Sequence, residues 1–358
     1  MRLHSIAPFH TLAARENSHC AFTGLAIRFA KMMRAQGFEV VEYANESESE
    51  ANERVPMMTA AEVKKLSNRK SDRDFFDADL KIGGPLWKLF DRKLRRELTR
   101  RFDPDEDIVC HGFGAAHKVL AHLLGGNHVE PSIGYNMAFA QFRVFASAAW
   151  MHYHQGKDGR GGNNYEWVVP HFVDVDEWDW SPSPGSYLLY LGRIQCDKGM
   201  RTISALAGRT KLPIVVCGQG DFTPWAHKNV EVRPPVLGKE RNALIAGARA
   251  MLLPTEYTEP GSVASIEALV CGTPVISSGH GVFTERVHNG ENGFRCQTFG
   301  DYLAAIDRLE TLDRSGIALN ARATYSLETV GRRFKSIFEQ IRDLRNGAGW
   351  YSVPPRNI

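Results

Sequence analysis

Two carboxylates eight residues apart, Glu259 and Glu267, bracket a Pro260-Gly261-Ser262-Val263 turn. The turn follows an apolar run over 250–254 and opens a helical pattern. At such a helix start the backbone N–H groups of Gly261, Ser262 and Val263 have no intrahelical acceptor and form an anion site, and a glycine lets a ligand approach the backbone. An ionised carboxylate at each end accepts two or more O–H bonds. An anion flanked by hydroxyl acceptors describes a nucleotide sugar. The plainer reading has Glu259 supporting the helix dipole and Glu267 facing solvent. Glu267 stands among Val263, Ile266, Ala268 and Leu269, which argues against a solvated face.

A second constellation, Gly192-Arg193-Ile194-Gln195-Cys196-Asp197-Lys198-Gly199, follows an apolar run over 187–191. Arg193 offers a planar fork of donors and Lys198 a point charge. On one loop the two can converge on a diphosphate; as ordinary surface cations they would pair with Asp197 or nothing. Gly218 and Gly220 form a GxG, but the third position of a dinucleotide fingerprint is Thr223, so that reading is rejected. A glycosidase would need its carboxylates on opposite sides of a sugar ring, whereas these two flank a phosphate-type site.

The elements that would carry these loops can be read from periodicity. The 358 residues suggest two domains, and 43% hydrophobic with 24% charged residues excludes disordered, collagen-like and disulfide-framework classes. A net charge of +3 does not by itself indicate a nucleic-acid binder. The six cysteines form no CxxC and read as buried free thiols. Strand patterns over 3–7 and 39–43 flank a helical pattern over 22–36, a βαβ unit implying a parallel sheet. The polar stretch 45–53 reads as an exposed loop. Helices are expected over 60–71, 77–102 and 144–151, and strands over 107–110 and 167–170. The Trp- and Pro-rich stretch 174–185 reads as a linker, after which strands over 187–191, 214–217, 230–233, 250–254 and 274–277 alternate with helices over 200–208, 241–246 and 262–271. A last helix over 327–344 has Val330, Phe334, Ile337, Phe338, Ile341 and Leu344 at helical spacing. In doubly wound halves ligands sit beyond the carboxyl ends of the strands.

These residues resemble the donor half of retaining family 4 glycosyltransferases of the GT-B fold. Leu191 to Gly199 matches the L-G-R-x-x-x-x-K-G loop, Glu259 and Glu267 the E-x7-E element, and Ile214 to Asp221 the strand with its GxG turn. Cys271 to Ile276 matches the A-x-G-x-P-V-I segment, and Trp167 to Asp174 resembles V-I-P-N-G-V-D. Two departures stand out: Glu-Pro-Gly-Ser replaces the usual Glu-Pro-Phe/Gly-Gly, and His171-Phe172 replaces Asn-Gly. The resemblance implies an α/β GT-B fold, two Rossmann-like doubly wound domains facing a central cleft. Residues 1–175 form an acceptor-side domain, residues 186–326 a donor-binding domain, and the helix at about 327–345 packs back on the first.

The resemblance further implies an enzyme that moves a sugar from a nucleotide-diphosphate donor, a UDP- or GDP-sugar, with retention and without metal or cofactor. Arg193 and Lys198 would neutralise the diphosphate, Glu267 would accept from ribose hydroxyls, and Glu259 with Gly261, Ser262 and Val263 would hold sugar and phosphate beside Gly218. His111, after the 107–110 strand, is expected at the donor sugar, with a turn histidine as the alternative. His10, Thr23 and Gly24, with His19, belong to the acceptor-side loop. Glu130 to Tyr135 resembles a segment of a subgroup of these transferases without a derived role. The acceptor could be a glycan, a lipid, a small molecule or modified phage DNA. Residues 88–102 read as an amphipathic core helix with a solvated basic face, the alternative being a surface for DNA, anionic lipid or an acidic glycan. No signal-peptide pattern and no long apolar run occur, so a cytoplasmic chain with at most peripheral membrane contact is expected. A GT-B epimerase or phosphorylase and a non-catalytic nucleotide-sugar binder are the other outcomes.

Overall fold

The computed structural model describes residues 1–15, 20–67, 81–112, 114–346 and 349–352. It divides into two compact units: residues 1–145, 162–169 and 327–358, and residues 146–161 and 170–326. Each is a parallel sheet covered by helices.

The first unit contains β1 (Arg2–Ile6), β2 (Leu12–Ala13), β3 (Glu39–Ser47), β4 (Glu53–Pro56), β5 (Ile108–His111), β6 (Asn127–Ile133), β7 (Phe142–Phe145) and β8 (Glu166–Val168). Their order is β2-β3-β1-β5-β6-β7-β8, with β4 also on β3. Helix Ala21–Ala35 is contacted by the C-terminal helix Leu327–Asn346, as the apolar stripe of that helix requires. Phe29 meets Phe334 and Phe338 edge-on at 5.8 and 6.3 Å between ring centroids. Elsewhere in this unit, Leu86, Phe90, Leu94 and Leu98 of helix Pro85–Arg101 pack with Ile6, Val41, Tyr43 and Val109. Its basic face is tied into ion pairs, Arg95 with Asp91, Lys93 with Glu62, and Arg96, Arg100 and Arg101 with Glu97. That is the amphipathic core helix expected. It starts at Pro85, and residues 68–71 and 77–80 of the two expected helices lie outside the described residues.

Three expectations are corrected here. The stretch 45–53 is only in part the exposed loop expected: β3 runs to Ser47 and β4 begins at Glu53, and the loop between them exposes Glu48, Glu50 and Asn52. Asn45 is buried and donates to the carbonyls of Phe9 and Thr11, and Glu42 accepts from the hydroxyls of Ser47 and Ser49. These polar residues are held inside the fold by hydrogen bonds to carbonyls and serine hydroxyls, so they carry no apolar signature. The helix expected over 144–151 is two elements: β7 ends at Phe145, and Ser147 caps helix Ala148–Lys157 by accepting from the Trp150 N–H. Finally, β6 gave no strand signal because it contains Glu130 and Pro131. A register shift between Glu130 and Ile133 accommodates the proline. The Glu130 carboxylate accepts from the backbone N–H groups of Phe139 and Ala140 and from the Tyr135 hydroxyl, which gives that segment a structural role.

The second unit contains β9 (Leu188–Leu191), β10 (Ile214–Cys217), β11 (Val230–Arg233), β12 (Ala250–Leu253), β13 (Val275–Ser278) and β14 (Gly293–Cys296). The order is β11-β10-β9-β12-β13-β14, every pair parallel. This is the doubly wound order in which the chain reverses direction between β9 and β12, and the loops leaving those two carboxyl ends diverge to leave a crevice. Residues 174–185 belong to this unit and bury Trp178. All six cysteines are free, and five of them are buried, with Cys196 exposed.

Candidate active site

The two loops singled out by sequence leave the adjacent ends of β9 and β12 and touch. Gly199 has φ +82°, and a Cβ there would fall 2.0 Å from the Pro254 carbonyl oxygen. The Glu256 N–H donates to the Asp197 carbonyl at 2.8 Å. Lys198 Nζ thereby meets Glu259 Oε2 at 2.6 Å, with side chains 16% and 12% exposed. The Tyr257 hydroxyl donates to the same carboxylate oxygen at 2.9 Å, and Lys198 Nζ lies 4.6 Å from the centre of the Tyr257 ring. Tyr190 donates to the Arg193 carbonyl and anchors that turn. Burial and the Glu259 charge push the Tyr190 and Tyr257 phenols up, and the Arg193 charge opposes this. Lys198, Glu259 and Tyr257 thus meet at the switch point, on the loop whose Arg193 carbonyl Tyr190 holds.

The helix after β12 is Val263–Val270, one residue later than expected, because Ser262 is its N-cap at φ +38° and ψ 73°. The four carbonyls from Glu259 to Ser262 are tied down. Glu259 O accepts from the Val282 N–H, Pro260 O from the Ser147 hydroxyl, and Gly261 O and Ser262 O from Arg286. The N–H groups of Gly261, Ser262, Val263 and Ala264 donate to no carbonyl among the described residues. An unpaired N–H row at a helix start is an anion-binding arrangement.

Glu267 is buried on this helix, and Arg241 of helix Gly238–Ala246 donates to its Oε2 through Nε at 3.1 Å and through Nη2. Gly218 serves a close approach: a Cβ there would lie 1.7 Å from the Gly192 carbonyl oxygen. Gly220, at φ +135°, packs the same way on Ile194. The GxG turn therefore seats the Arg193 loop.

In the first unit, His111 is 0% exposed and its Nε2 meets His128 Nδ1 at 2.9 Å. Its ring stands among those of His128, His117 and Phe139, out of contact with solvent. Desolvation and the neighbouring histidines hold its pKa well below the ordinary value. Gly112 and Gly114 serve internal contacts, with Ile6 O and the Tyr135 ring. His10, Thr23 and Gly24 are buried near the start of helix Ala21–Ala35. Thr23 shares a hydroxyl bond with Thr11 at 2.6 Å, His10 Nε2 lies 3.8 Å from Cys20 Sγ, and Gly24 N–H donates to Cys20 O. His19 lies outside the described residues.

Sequence reasoning missed Tyr257, Arg241, Arg286 and the role of His171. His171 was visible only as a departure from the resembled family. It is 4% exposed, and burial and the Arg286 charge lower its pKa to about 3. A folded-state pKa below the unfolded value near 6.5 contributes stability that is complete above pH 6.5 and is lost as pH falls toward about 3. His171→Asn should therefore be less acid-sensitive than the parent. The difference in their unfolding free energies should change by up to about 1.4 kcal/mol per pH unit below 6.5. Urea melts of both proteins from pH 7.5 to 5 measure it, and parallel profiles would refute it.

Among the described residues no group of three or more His, Cys, Asp or Glu side chains is set to hold a metal ion, and no helix is long and apolar enough to cross a membrane.

Residues 185–312 match the family model described as Glycosyl transferases group 1. A stretch of 147 residues is 30% identical to glycogen synthase of Mycobacterium tuberculosis, covering 36% of this chain and 35% of the relative. The match thus spans about a third of the curated relatives' length. Among solved structures, AviGT4, a glycosyltransferase involved in avilamycin A biosynthesis, superposes with a TM-score of 0.70 at 18% identity, covering 97% of this chain and 99% of that one. HepE of Anabaena, solved with UDP and glucose, gives 0.69 at 14% identity over 95% and 99%. Sucrose-phosphate synthase of Thermosynechococcus elongatus gives 0.69 at 14% identity, again over 95% and 99%. The chain has the GT-B fold, and the likeness to GT-B glycosyltransferases carried by the motifs is borne out.

Proposed function

We propose, from a chain of GT-B fold whose second unit matches glycosyl transferases group 1, that this protein transfers a sugar from a nucleoside-diphosphate donor, with a UDP-sugar as the first candidate. The observation that carries the reading is the meeting of Lys198 and Glu259 a few residues before a helix start whose four N–H groups, 261 to 264, donate to no carbonyl among the described residues. In this reading the diphosphate takes the N–H row, and Arg193 and Lys198 balance the charge that develops on it as the sugar leaves. Lys198 exchanges its carboxylate partner for phosphate, which frees Glu259 to accept from the sugar's hydroxyls. Glu267, one oxygen held by Arg241, offers the other to the ribose. The two cations take the place of a metal, and the acceptor attacks from the face the diphosphate leaves, so configuration is retained. His111, from inside its histidine cluster, and the loop holding His10, Thr23 and Gly24 are assigned to the acceptor-side unit.

Thermal unfolding with UDP-, GDP-, ADP- and TDP-sugars tests the donor site. A donor at 100 times its Kd adds about 2.7 kcal/mol of stability, and the true donor should stand out from the other three. Absence of any shift would overturn the donor site. Product analysis with the stabilising donor, with and without added glycan, lipid or DNA acceptors, separates transfer from epimerisation, phosphorolysis and simple binding.

A further inference from the structure

We infer that Arg286 is a positioning residue that aims the amide row of the donor loop, by holding Ser262 in a left-handed conformation; the inference rests on that loop being the diphosphate site. Arg286 ends the short helix Phe283–Arg286 and is 3% exposed. Its Nη1 donates to Ser262 O at 2.9 Å, to Ser265 Oγ at 3.0 Å and to Gly261 O. The peptide unit is planar and trans, so a carbonyl and the following N–H point in opposite directions. Fixing Gly261 O therefore aims the Ser262 N–H, and fixing Ser262 O aims the Val263 N–H. The Ser147 bond to Pro260 O does the same for the Gly261 N–H.

This is needed because Ser262 sits at φ +38°, a region that a residue with a Cβ enters only under constraint and glycine enters freely. Arg286 is itself held. Its guanidinium lies 5.4 Å from the Tyr325 ring centre, and the adjacent Glu285 accepts from the N–H groups of Ala148 and Ala149. Without the arginine, Ser262 can relax toward ordinary helical or extended angles and rotate the two peptide planes, taking the amides off the anion.

The test measures UDP and uridine affinities by calorimetry for the parent, Arg286→Leu, Arg286→Lys, Ser262→Gly, and Ser262→Gly combined with Arg286→Leu. UDP carries the diphosphate and uridine does not. Arg286→Leu should lose tenfold or more in UDP affinity while uridine affinity stays within twofold. Adding Ser262→Gly should recover at least threefold. A folded Arg286→Leu with parental UDP affinity, an equal loss for uridine, or no recovery with Ser262→Gly would overturn the role. If Arg286→Leu does not unfold cooperatively, Arg286→Lys carries the test, with a smaller but still UDP-selective loss expected. A parent protein that binds neither UDP, GDP nor ADP sinks the donor-site reading itself, a result distinguishable from failure of the Arg286 role.

Discussion

Replacing Lys198 by alanine should lower kcat by about 10²- to 10³-fold, the usual cost of removing one fixed group that stabilises charge developing in a transition state. Lys198 is paired with Glu259 at 2.6 Å and rests near the Tyr257 ring, so its ammonium is already ordered and largely desolvated. The alanine variant has a second defect. It leaves the Glu259 carboxylate, 12% exposed, with the Tyr257 hydroxyl but no ammonium from Lys198, facing an incoming dianionic group. Glu259→Gln in the Lys198→Ala background should therefore restore part of the donor affinity, although Glu259→Gln alone should impair transfer. Steady-state kinetics of the two single variants and the double variant, with the donor that gives the largest thermal shift, supply the cycle. Additive losses would show that the pair does not act as a unit, and a Lys198→Ala enzyme within threefold of the parent would remove Lys198 from the reaction.

The second large effect is expected at Gly261. A Cβ there would stand 2.3 Å from His171 Nε2 and 2.9 Å from Ala146 Cβ, closer than such atoms approach. Gly261→Ala must push either the His171 ring or the loop carrying the amide row, and overpacking of a buried site typically costs about 1–3 kcal/mol. The loop is held at four carbonyls, so the ring is the part with somewhere to go only if its own walls give. We expect Gly261→Ala to lower both the urea midpoint and donor affinity, and His171→Ala to recover part of both, because it removes the two nearest atoms the new methyl would meet and leaves the Ala146 contact at 2.9 Å. Recovery of stability without recovery of donor binding would separate packing from amide placement; recovery of neither would refute the contact as the cause. The two departures from the resembled family, Gly261-Ser262 and His171-Phe172, are thus linked here: the imidazole fills the space against Gly261 that a side chain at that position would need.

The second unit was legible because its signals are local. Leu188–Leu191 and Ala250–Leu253 are short apolar runs whose ends carry glycine-bearing loops, and a parallel order places the carboxyl ends of such strands side by side. The pairing of Lys198 with Glu259 follows from that topology, since each residue lies a few positions beyond neighbouring strands. The first half was less legible. Asn45, Glu42 and Glu130 look like loop residues in the sequence, yet all three are buried because their polar atoms meet backbone N–H groups, carbonyls or serine hydroxyls brought in by the fold.

Local residue patterns were enough to place the two α/β halves, the loops that leave the strands of the second half, and the residue types at those loops: two cations, two carboxylates and a glycine at a helix start. Periodicity and turn chemistry depend on neighbours within a few residues, so one chain written in order contains them. What holds those groups depends on contacts made far along the chain. Arg241 reaches Glu267 across 26 residues, Arg286 reaches Gly261 across 25, and the Ser147 hydroxyl reaches Pro260 across 113. A buried arginine and a surface arginine have the same letter and the same local pattern. Which one grips the donor loop is settled by where the folded chain places carbonyls that water cannot reach.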